Sequence, residues 1–449
     1  MKLTVIGGGG VRSMFLSKSI AVYGRGLGID RLTLMDNDPV KLNIFGTMAK
    51  ALAARIDPEL KVELTTDPVR ALDGADYVIT TIRVGGDDLR VKDERAALSC
   101  GILGQETTGA AGFSFAMRSI PALVGYCRMT ERYAAKGAKV FNFTNPAGIV
   151  SEALRREGFD FTYGICDAPS GMLRQFRRFY NGTTAELKGY GLNHLSFFSS
   201  VVIDGVERVH DLIADPEAYR RTDLRFFDPA TLKSAGEIFN EYVYYYLNPE
   251  RAVRNILAAK ETRGELIVRV NRALIAELKD FDVEKNFDRA LAIYGRQHAE
   301  RENAYMATET GVRCDTEFRF DPLTADDGYA GVALDFIRNS RSGSGSMVLC
   351  VPNNGAIDDL EKDDVIETSV RFEGTGFVND RAGKLKDYNR EWIVRVKAYE
   401  REGAKAILSR DKAGAIAALS EHPLIGKAYA EGLVGIFERN NKGFFEGWR

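Results

Sequence analysis

The N-terminal stretch places a strand, a glycine cluster and a helix in direct succession, and this order constrains the fold more than any other feature. The run Lys2–Ile6 is short and rich in β-branched residues, and four consecutive glycines follow it. A strand that passes through a glycine turn into a helix is the context of a dinucleotide-binding fingerprint. Glycines let the backbone approach a pyrophosphate, to which the helix N-terminus offers free N–H groups. We expect that contact from Gly8, Gly9, Gly10, Val11 and Arg12.

An acidic residue further along the chain strengthens the interpretation of the glycine turn as a dinucleotide site. Alone it is weak evidence, because any tight strand-to-helix turn can use glycine, and Ser13 stands where the fingerprint has its third glycine. Asp36 follows the next strand, ~20 residues on, where an NAD-binding fold places an acid for the ribose hydroxyls. A plainer role is to cap the helix near Asp38. Together the two features predict NAD, and the acid without a basic neighbour disfavours the 2′-phosphate of NADP.

Strand and helix patterns alternate along the first half of the chain. The strand-like runs are Arg31–Met35, Lys61–Thr65, Tyr77–Ile82 and Lys139–Phe143. This alternation predicts an α/β fold with a Rossmann-like, doubly wound parallel sheet covered by helices on both faces. After Phe198 the pattern changes to a hairpin and then to charged helices. We therefore predict an NAD-binding domain over residues 1–196 and a larger α+β domain over residues 197–449, like the C-terminal part of lactate and malate dehydrogenases.

Polar residues follow several of these strands, and ligands of open α/β sheets bind outside the carboxyl ends of strands. Arg83 and Arg90 flank Gly85 and Gly86, which predicts a loop that binds an anion; two solvated arginines are the alternative. Asn145 precedes a proline at the end of another strand, which marks a turn. It also marks a position where dehydrogenases of this architecture contact substrate and cofactor.

Cys166 and His194 each stand at the edge of an apolar run. Thiolate and imidazole both bind divalent transition metals, so the pair predicts a metal site. The alternative is a buried cysteine and a buried, hydrogen-bonded histidine, since cysteine is among the most buried residue types.

Composition excludes several classes of function. The 449 residues carry a net charge of −2, and no basic excess indicates a nucleic acid or anionic membrane partner. The sequence has no run of eighteen apolar residues and no signal-peptide pattern at its start. Five widely spaced cysteines favour reduced thiols over a disulfide framework and therefore a cytoplasmic location.

Short motifs in one order give the chain a family resemblance. They are GQETTG (104–109), NFTNP (142–146), GICDAP (164–169), GLNH (191–194), YVYYY (242–246) and ETRGE (261–265). In this order and spacing they resemble the NAD- and Mn2+-dependent glycosidases of glycoside hydrolase family 4, most closely the 6-phospho-β-glucosidases. The resemblance implies an exception to two-carboxylate hydrolysis. In the mechanism that the resemblance implies, NAD+ oxidises carbon 3 of the sugar and a base removes the proton from carbon 2. The aglycone is then eliminated, water adds to the sugar, and NADH returns the hydride.

The resemblance also assigns catalytic and metal-binding roles. Cys166 and His194 would be the metal ligands, with sugar hydroxyls and water completing the coordination. Tyr242 would be the general base at carbon 2, with its pKa lowered by a nearby cation or metal; Tyr245 and Tyr246 are alternatives, and a tyrosine run on a helix also suits simple packing. Asp167 would lie near the leaving group or the metal. Many β-specific members have Asn at that position, which bears on the anomeric preference.

Substrate contacts are expected from Asn145, Arg90 and Arg263, since two arginines suit a phosphate dianion, with Arg83 a weaker candidate. Asn193 would contact substrate, or it would be a turn residue that orients His194. The remaining histidines and cysteines match no motif, and we interpret them as surface, packing or structural residues: His210, His298, His422, Cys100, Cys127, Cys314 and Cys350.

The sequence thus predicts a cytoplasmic 6-phospho-β-glucosidase that acts on phosphorylated disaccharides or glycosides and assembles as a homodimer or homotetramer. One alternative keeps the family but changes the substrate to an α-glucoside, an α-galacturonide or an unphosphorylated sugar. Another is an NAD-dependent hydroxy-acid dehydrogenase, and a third is a redox-sensing NAD-binding regulator without catalysis.

Overall fold

The computed structural model describes residues 1–313 and 328–449. In this part of the chain, nine strands form one sheet with the order β13-β12-β11-β6-β5-β4-β1-β2-β3. A second sheet has the order β10-β8-β7, with β9 paired to β8. The strands are β1 Lys2–Ile6, β2 Arg31–Met35, β3 Lys61–Thr65, β4 Tyr77–Thr80, β5 Lys139–Asn142, β6 Thr162–Gly164, β7 Ala185–Leu192, β8 Leu195–Ile203, β9 Val206–Glu207, β10 Ile238–Phe239, β11 Ser346–Pro352, β12 Val365–Glu373 and β13 Gly376–Asn379.

The helices cover both faces of the large sheet and form most of the second half of the chain. Between α2 and α3 the chain makes a π-helical turn over Leu42–Gly46. The helices are α1 Ser13–Tyr23, α2 Pro39–Lys41, α3 Thr47–Ile56, α4 Pro68–Leu72, α5 Gly86–Ser99, α6 Ala110–Tyr133, α7 Ala147–Arg156, α8 Asp167–Phe179, α9 Val209–Ala214, α10 Pro216–Arg221, α11 Pro229–Ala235, α12 Val243–Leu247, α13 Pro249–Ala258, α14 Arg263–Leu278, α15 Phe287–Asn303, α16 Ala307–Thr310, α17 Gly328–Ser342, α18 Asp387–Ser409, α19 Lys412–Glu421 and α20 Lys427–Asn440.

The strands β3-β2-β1-β4-β5-β6 run parallel, in the order of a doubly wound dinucleotide-binding sheet. Side chains of β1 alternate between its two faces: Leu3 and Val5 join one buried cluster, and Ile6 joins another. The predicted Rossmann-type α/β fold is therefore confirmed. The crevice that such folds use for ligands lies where the order reverses, between the carboxyl ends of β1 and β4.

Three strands from the second half of the chain extend this sheet. β11 pairs antiparallel to β6, and β12 and β13 follow it antiparallel. β12 also packs against the second sheet, where the Gly189 N–H donates to the Ser369 hydroxyl at 2.8 Å. Contacts of this kind hold the β7–β8 hairpin over the sheet edge. The division at residue 196 stays a prediction, but the main sheet takes strands from both sides of it.

One sequence prediction about local structure was wrong. Arg90 does not lie on a glycine loop, because helix α5 begins at Gly86 and carries the buried Arg90 in its second turn. Asn193 and His194, predicted at the edge of an apolar run, form the two-residue turn between β7 and β8. Within residues 1–313 and 328–449, no helix has the length and apolar character needed to cross a bilayer. Cys314 lies outside the described residues.

His422 provides a test of the packing. Its ring contacts those of Tyr246 and Tyr399, and its Nδ1 accepts from the Leu424 N–H at 3.2 Å. Burial, then Arg395, lowers the pKa of His422 to about 3. An unfolded histidine has a pKa of about 6.5. Below that pH the unfolded chain therefore binds a proton that the native chain does not bind. This costs about 1.4 kcal/mol of stability per pH unit down to about pH 3.

We therefore expect His422→Asn, whose amide oxygen can replace Nδ1 as acceptor, to flatten the loss of stability on acidification. The measurement is the free energy of unfolding from urea titrations at pH 7, 6 and 5. The control is His210→Asn, because His210 is exposed. Equal slopes in the His422 variant and the wild type would contradict the assigned burial.

Candidate active site

The glycine turn after β1 is shaped around Asp36. The Gly9 N–H donates to Asp36 Oδ2 at 2.9 Å, and the Asp38 N–H donates to Oδ1 at 3.0 Å. A Cβ at Gly9 would lie 2.9 Å from the Asp36 carboxylate and 2.9 Å from the Leu42 nitrogen, so only glycine fits there. Burial raises the pKa of Asp36, against the hydrogen bonds from Asp38 and Gly9. The sequence-predicted pair is thus in direct contact, beside the carboxyl ends of β1 and β2.

Helix α1 begins directly after this turn. Its N-cap residue Arg12 makes no side-chain cap hydrogen bond. The Val11 carbonyl accepts from the Tyr294 hydroxyl at 2.9 Å, which anchors the turn to α15. Glycines beside an uncapped helix N-terminus fit the pyrophosphate of a dinucleotide.

Cys166 follows β6 and occupies the N-cap position of α8. Burial raises the pKa of its thiol well above the ordinary range, and the negative charges of Glu367 and Asp167 act in the same direction. The protein groups therefore favour a neutral thiol. A metal that binds here must displace the thiol proton, as thiolate ligation requires.

His194 lies in the β7–β8 turn with a φ of 63°, a left-handed conformation that is uncommon outside glycine. Its imidazole stacks on the Tyr242 ring, with 3.8 Å between ring centroids and 4° between planes. Its Nδ1 lies 3.1 Å from the Thr107 hydroxyl. Burial lowers the pKa of His194 to about 4, although Glu106 opposes this. The ring is therefore neutral near pH 7, the form that binds metals.

Tyr242 stands at the N-cap of α12, against His194. Its hydroxyl is hydrogen-bonded to Tyr305, whose own hydroxyl donates to Glu241 Oε1 at 3.2 Å. Burial first, and then the charge of Glu241, raise the pKa of Tyr242 well above the ordinary range. The protein's own cations thus do not supply the pKa lowering that a tyrosine base needs.

Asp167 is the first residue of α8 and forms an ion pair with Arg12 at 3.5 Å. Arg12 also pairs with Glu302 of α15 at 3.8 Å. These contacts connect the dinucleotide turn to the residue that follows Cys166. The predicted cofactor half and the predicted metal half therefore meet at Arg12.

Arg90 is almost fully buried and is neutralised by carboxylates. Its Nε lies 2.9 Å from Glu94, and its Nη1 lies 3.1 Å from Glu106. Glu94 also accepts from the Thr262 hydroxyl and the Gly264 N–H at the start of α14. These contacts anchor the segment that carries Arg263, so the structure gives Arg90 a clear positioning role. Its contact with substrate stays a prediction.

A second carboxylate holds the two arginines that the sequence singled out. Glu106 Oε2 lies 2.6 Å from Arg83 and 3.1 Å from Arg90. Burial would raise the pKa of Glu106, but Arg83 and Arg90 outweigh it and lower the value to about 2. The loop after β4 and the GQETTG loop are thus held together by an ionised acid.

Arg263 and Arg301 are partly buried and lie close to other arginines. Arg263 donates to the Arg301 carbonyl at 2.6 Å and lies over the Tyr305 ring. Burial, and then the positive charges of Arg12, Arg263 and Arg90, lower the pKa of Arg301 to about 9, against Glu302. Arg301 Nε is buried without a hydrogen-bond partner in the described chain. Because the positive charges of this cluster repel one another, a bound anion would stabilise it.

Asn193 and Asn145 occupy different surroundings. Asn193 Nδ2 donates to Glu367 Oε1 at 2.9 Å, and Ser196 donates to Glu367 Oε2 at 2.7 Å. Glu367 therefore holds both flanks of the His194 turn, which fits the turn-residue alternative for Asn193. Asn145 follows β5 and precedes Pro146 across a cis peptide bond.

Sequence reasoning missed several residues of this site. Arg301, Glu302 and Tyr305 come from the end of α15 and its following turn, and Glu367 comes from β12. None of these four belongs to a motif, so nothing local marks them. Glu106 and Thr107 could have been predicted from the sequence, because both lie in the GQETTG motif. Glu241 directly precedes the tyrosine run.

The residues present fit a divalent metal whose coordination is completed by other ligands. Cys166 and His194 offer one sulfur and one nitrogen, a set that suits a transition metal. Within the described ranges, no group of three or more His, Cys, Asp and Glu side chains is arranged to hold a metal ion. A metal held by Cys166 and His194 would keep positions for substrate and water, as catalytic metal sites do.

A dinucleotide-type sheet, with Cys166 after β6 and His194 in the β7–β8 turn, is typical of a cofactor-dependent enzyme. Residues 2–181 match the sequence profile of family 4 glycosyl hydrolases, and residues 189–425 match that of the family 4 glycosyl hydrolase C-terminal domain. The chain belongs to glycosyl hydrolase family 4, as its motifs predicted.

Relatives in this family share nearly the whole chain. A probable 6-phospho-β-glucosidase of Bacillus subtilis is 29% identical over 95% of this chain and 92% of its own length. A phospho-α-glucosidase of Clostridium acetobutylicum is 25% identical over 99% of this chain and 98% of its own length. The 6-phospho-β-glucosidase of Thermotoga maritima, solved with manganese, NAD+ and glucose 6-phosphate, superposes with a TM-score of 0.81 at 26% identity over 99% of both chains. The fold class is confirmed by this match.

Proposed function

We propose that the chain hydrolyses 6-phospho-β-glucosides with NAD+ and a divalent metal, through oxidation, elimination, addition and reduction. The observation that carries the proposal is the stacking of His194 on Tyr242, beside Cys166 and the Arg12–Asp167 ion pair. This contact supports His194 as a metal ligand and Tyr242 as the base, next to the turn that fits a dinucleotide. The Thermotoga relative, solved with manganese, NAD+ and glucose 6-phosphate, supports the same set of ligands.

Each group of residues has a distinct task in this proposal. The glycine turn and Asp36 hold the dinucleotide, and Cys166 and His194 hold the metal. A bound nicotinamide accepts hydride, and a bound metal polarises sugar oxygens. Tyr242 removes the carbon 2 proton. Asp167, the first residue of α8, is held by Arg12 for a role near the leaving group or the metal.

The arginines near α15 would bind the 6-phosphate. Arg263 and Arg301 lie within each other's electrostatic reach, and a phosphate dianion would relieve their mutual repulsion. The family's α-specific members provide the second candidate function, hydrolysis of 6-phospho-α-glucosides. The observation that favours it is Asp167, an acid where many β-specific members have Asn.

We also propose reduced thiols in a cytoplasmic setting and a homodimeric or homotetrameric assembly. Cys100, Cys127, Cys166 and Cys350 are free, which supports the first proposal. Sedimentation of the purified chain tests the second, and a monomer at micromolar concentration would contradict it.

The test of function compares p-nitrophenyl 6-phospho-β-glucoside, its α-anomer and the unphosphorylated β-glucoside. Each is incubated with NAD+, Mn2+ and a reducing thiol, and each additive is then omitted in turn. We expect release of p-nitrophenol from the phosphorylated β-glucoside only, with loss of activity when NAD+ or Mn2+ is omitted. Preference for the α-anomer would support the second candidate. Net NADH accumulation without p-nitrophenol would indicate a dehydrogenase instead.

Arg301→Gln tests the phosphate contact. A charge-assisted hydrogen bond contributes about 1.5–3 kcal/mol, so we expect KM for the phosphorylated substrate to rise about 10- to 100-fold with a small change in kcat. The control is Arg269→Gln, because Arg269 is half exposed and pairs with Glu261 and Glu300 on the surface. An unchanged KM in the Arg301 variant would remove that residue from the phosphate site.

A further inference from the structure

The Nδ1 atom of His194 has a hydrogen-bond partner. Its Nδ1 lies 3.1 Å from the Thr107 hydroxyl, while a face of the ring is covered by Tyr242. A neutral imidazole has one N–H donor and one acceptor nitrogen, and only the acceptor nitrogen can bind a metal. The partner of Nδ1 therefore decides whether Nε2 is available as a ligand.

Gln105 fixes the direction of this hydrogen bond. Its Oε1 accepts from the Thr107 N–H and the Thr108 N–H, both at 2.7 Å. Two backbone N–H groups identify this atom as the amide oxygen, because the amide nitrogen could not accept from them. The Thr107 hydroxyl lies 3.0 Å from the same oxygen. An amide oxygen cannot donate, so between these two atoms only the hydroxyl can be the donor.

The consequence reaches His194 through Thr107. Once the hydroxyl hydrogen points to Gln105, the Thr107 oxygen can only accept from Nδ1. Nδ1 then carries the proton, and the lone pair of Nε2 is free. In the opposite arrangement Thr107 would donate to Nδ1 and turn its lone pairs toward Gln105 Oε1. Two acceptors would then face each other at 3.0 Å in a part-buried loop, which is costly.

We infer that Gln105 and Thr107 are positioning residues that hold His194 in the Nδ1–H tautomer, which leaves Nε2 to bind the divalent metal. The inference rests on the proposed function where it takes His194 as a metal ligand. The tautomer itself does not depend on that assignment, because it follows from the contacts of three side chains.

A direct test reads the tautomer in the full chain without added metal. The chain has four histidines, so ¹⁵N-histidine labelling gives few signals in a long-range ¹H–¹⁵N correlation spectrum. Loss of one set in His194→Gln identifies its signals. We expect a protonated Nδ1 and an unprotonated Nε2. A protonated Nε2 in the wild-type chain would overturn the inference.

Variants of the loop then connect the tautomer to the metal. Thr107→Val removes the hydroxyl at nearly constant size, and we expect a shift toward the Nε2–H tautomer with Mn2+ binding weakened about 10- to 100-fold. Free Mn2+ is measured by electron paramagnetic resonance. Thr107→Ser restores the hydroxyl and should restore both readouts. The matched control is Thr108→Val, because the buried Thr108 hydroxyl has no hydrogen-bond partner in the described chain.

The outcomes separate this inference from the proposed function. If Thr107→Val folds but changes neither the tautomer nor Mn2+ affinity, the positioning role is wrong. If His194→Gln leaves Mn2+ affinity unchanged, the proposed metal site is wrong and with it the purpose of the tautomer. A shifted tautomer with unchanged Mn2+ affinity would also overturn the inference, because Nε2 would then not be the ligand atom.

Discussion

Replacing Cys166 by Ser is expected to abolish most metal-dependent turnover while leaving the fold intact. Cys166 is one of two proposed protein ligands, so its loss leaves the metal with the chain's His194 alone. A catalytic metal contributes several kcal/mol to transition-state stabilisation, and each ~1.4 kcal/mol is a factor of ten in rate. We therefore expect kcat/KM to fall by about three orders of magnitude. Parallel loss of Mn2+ affinity is the second readout.

The matched control for this prediction is Cys100→Ser. Cys100 is the half-buried C-cap of α5, remote in sequence from the proposed ligands. Thermal melting of both variants separates a metal effect from a folding effect. Turnover and Mn2+ affinity close to wild type in the Cys166 variant would exclude that thiol from the metal site.

Tyr242→Phe is expected to stop exchange of the carbon 2 proton. The phenylalanine keeps a ring that can stack on His194 and removes the hydroxyl that would take the proton. Loss of a general base costs about 10²- to 10⁴-fold in rate. The measurement is deuterium incorporation at carbon 2 of the product when the reaction runs in deuterated buffer.

Tyr246→Phe is the control for this second prediction. The Tyr246 ring packs against Trp392 and His422 rather than against the proposed metal ligands, so its variant should exchange the proton normally. Exchange that persists in the Tyr242 variant and disappears in a Tyr245 variant would move the base to that neighbouring tyrosine.

The sequence predicted the glycine turn and the first three strands within a residue, because each depends on local patterns. β-branched runs, glycines and Asp36 act through neighbours in the chain or in adjacent strands. The start of α5 was also predictable: Asp87 and Asp88 lie in its first turn, where acidic residues favour a helix N-terminus. The two consecutive glycines suggested a loop that reaches Arg90. Gly85 and Gly86 do have positive φ, but the helix begins at Gly86 and includes Arg90.

Other parts of the site could not be read from local patterns. The apolar residues around His194 continue on both sides of the turn, so periodicity joins two strands into one run. Arg301, Tyr305 and Glu367 reach the site only through tertiary packing. The pKa of Tyr242 has the same origin, because its direction depends on burial and on Glu241 rather than on the tyrosine motif.

The bond between Asn193 and Glu367 has a consequence for the synthesis of the chain. The two residues are 174 positions apart. At about 5–20 residues per second, a ribosome needs roughly 10 to 35 s to add that length. During this interval the His194 turn lacks β12, the strand that carries Glu367. The residues that we propose as metal ligands therefore gain this support only after β12 has been synthesised. A metal that binds the folded chain alone would stabilise it by mass action.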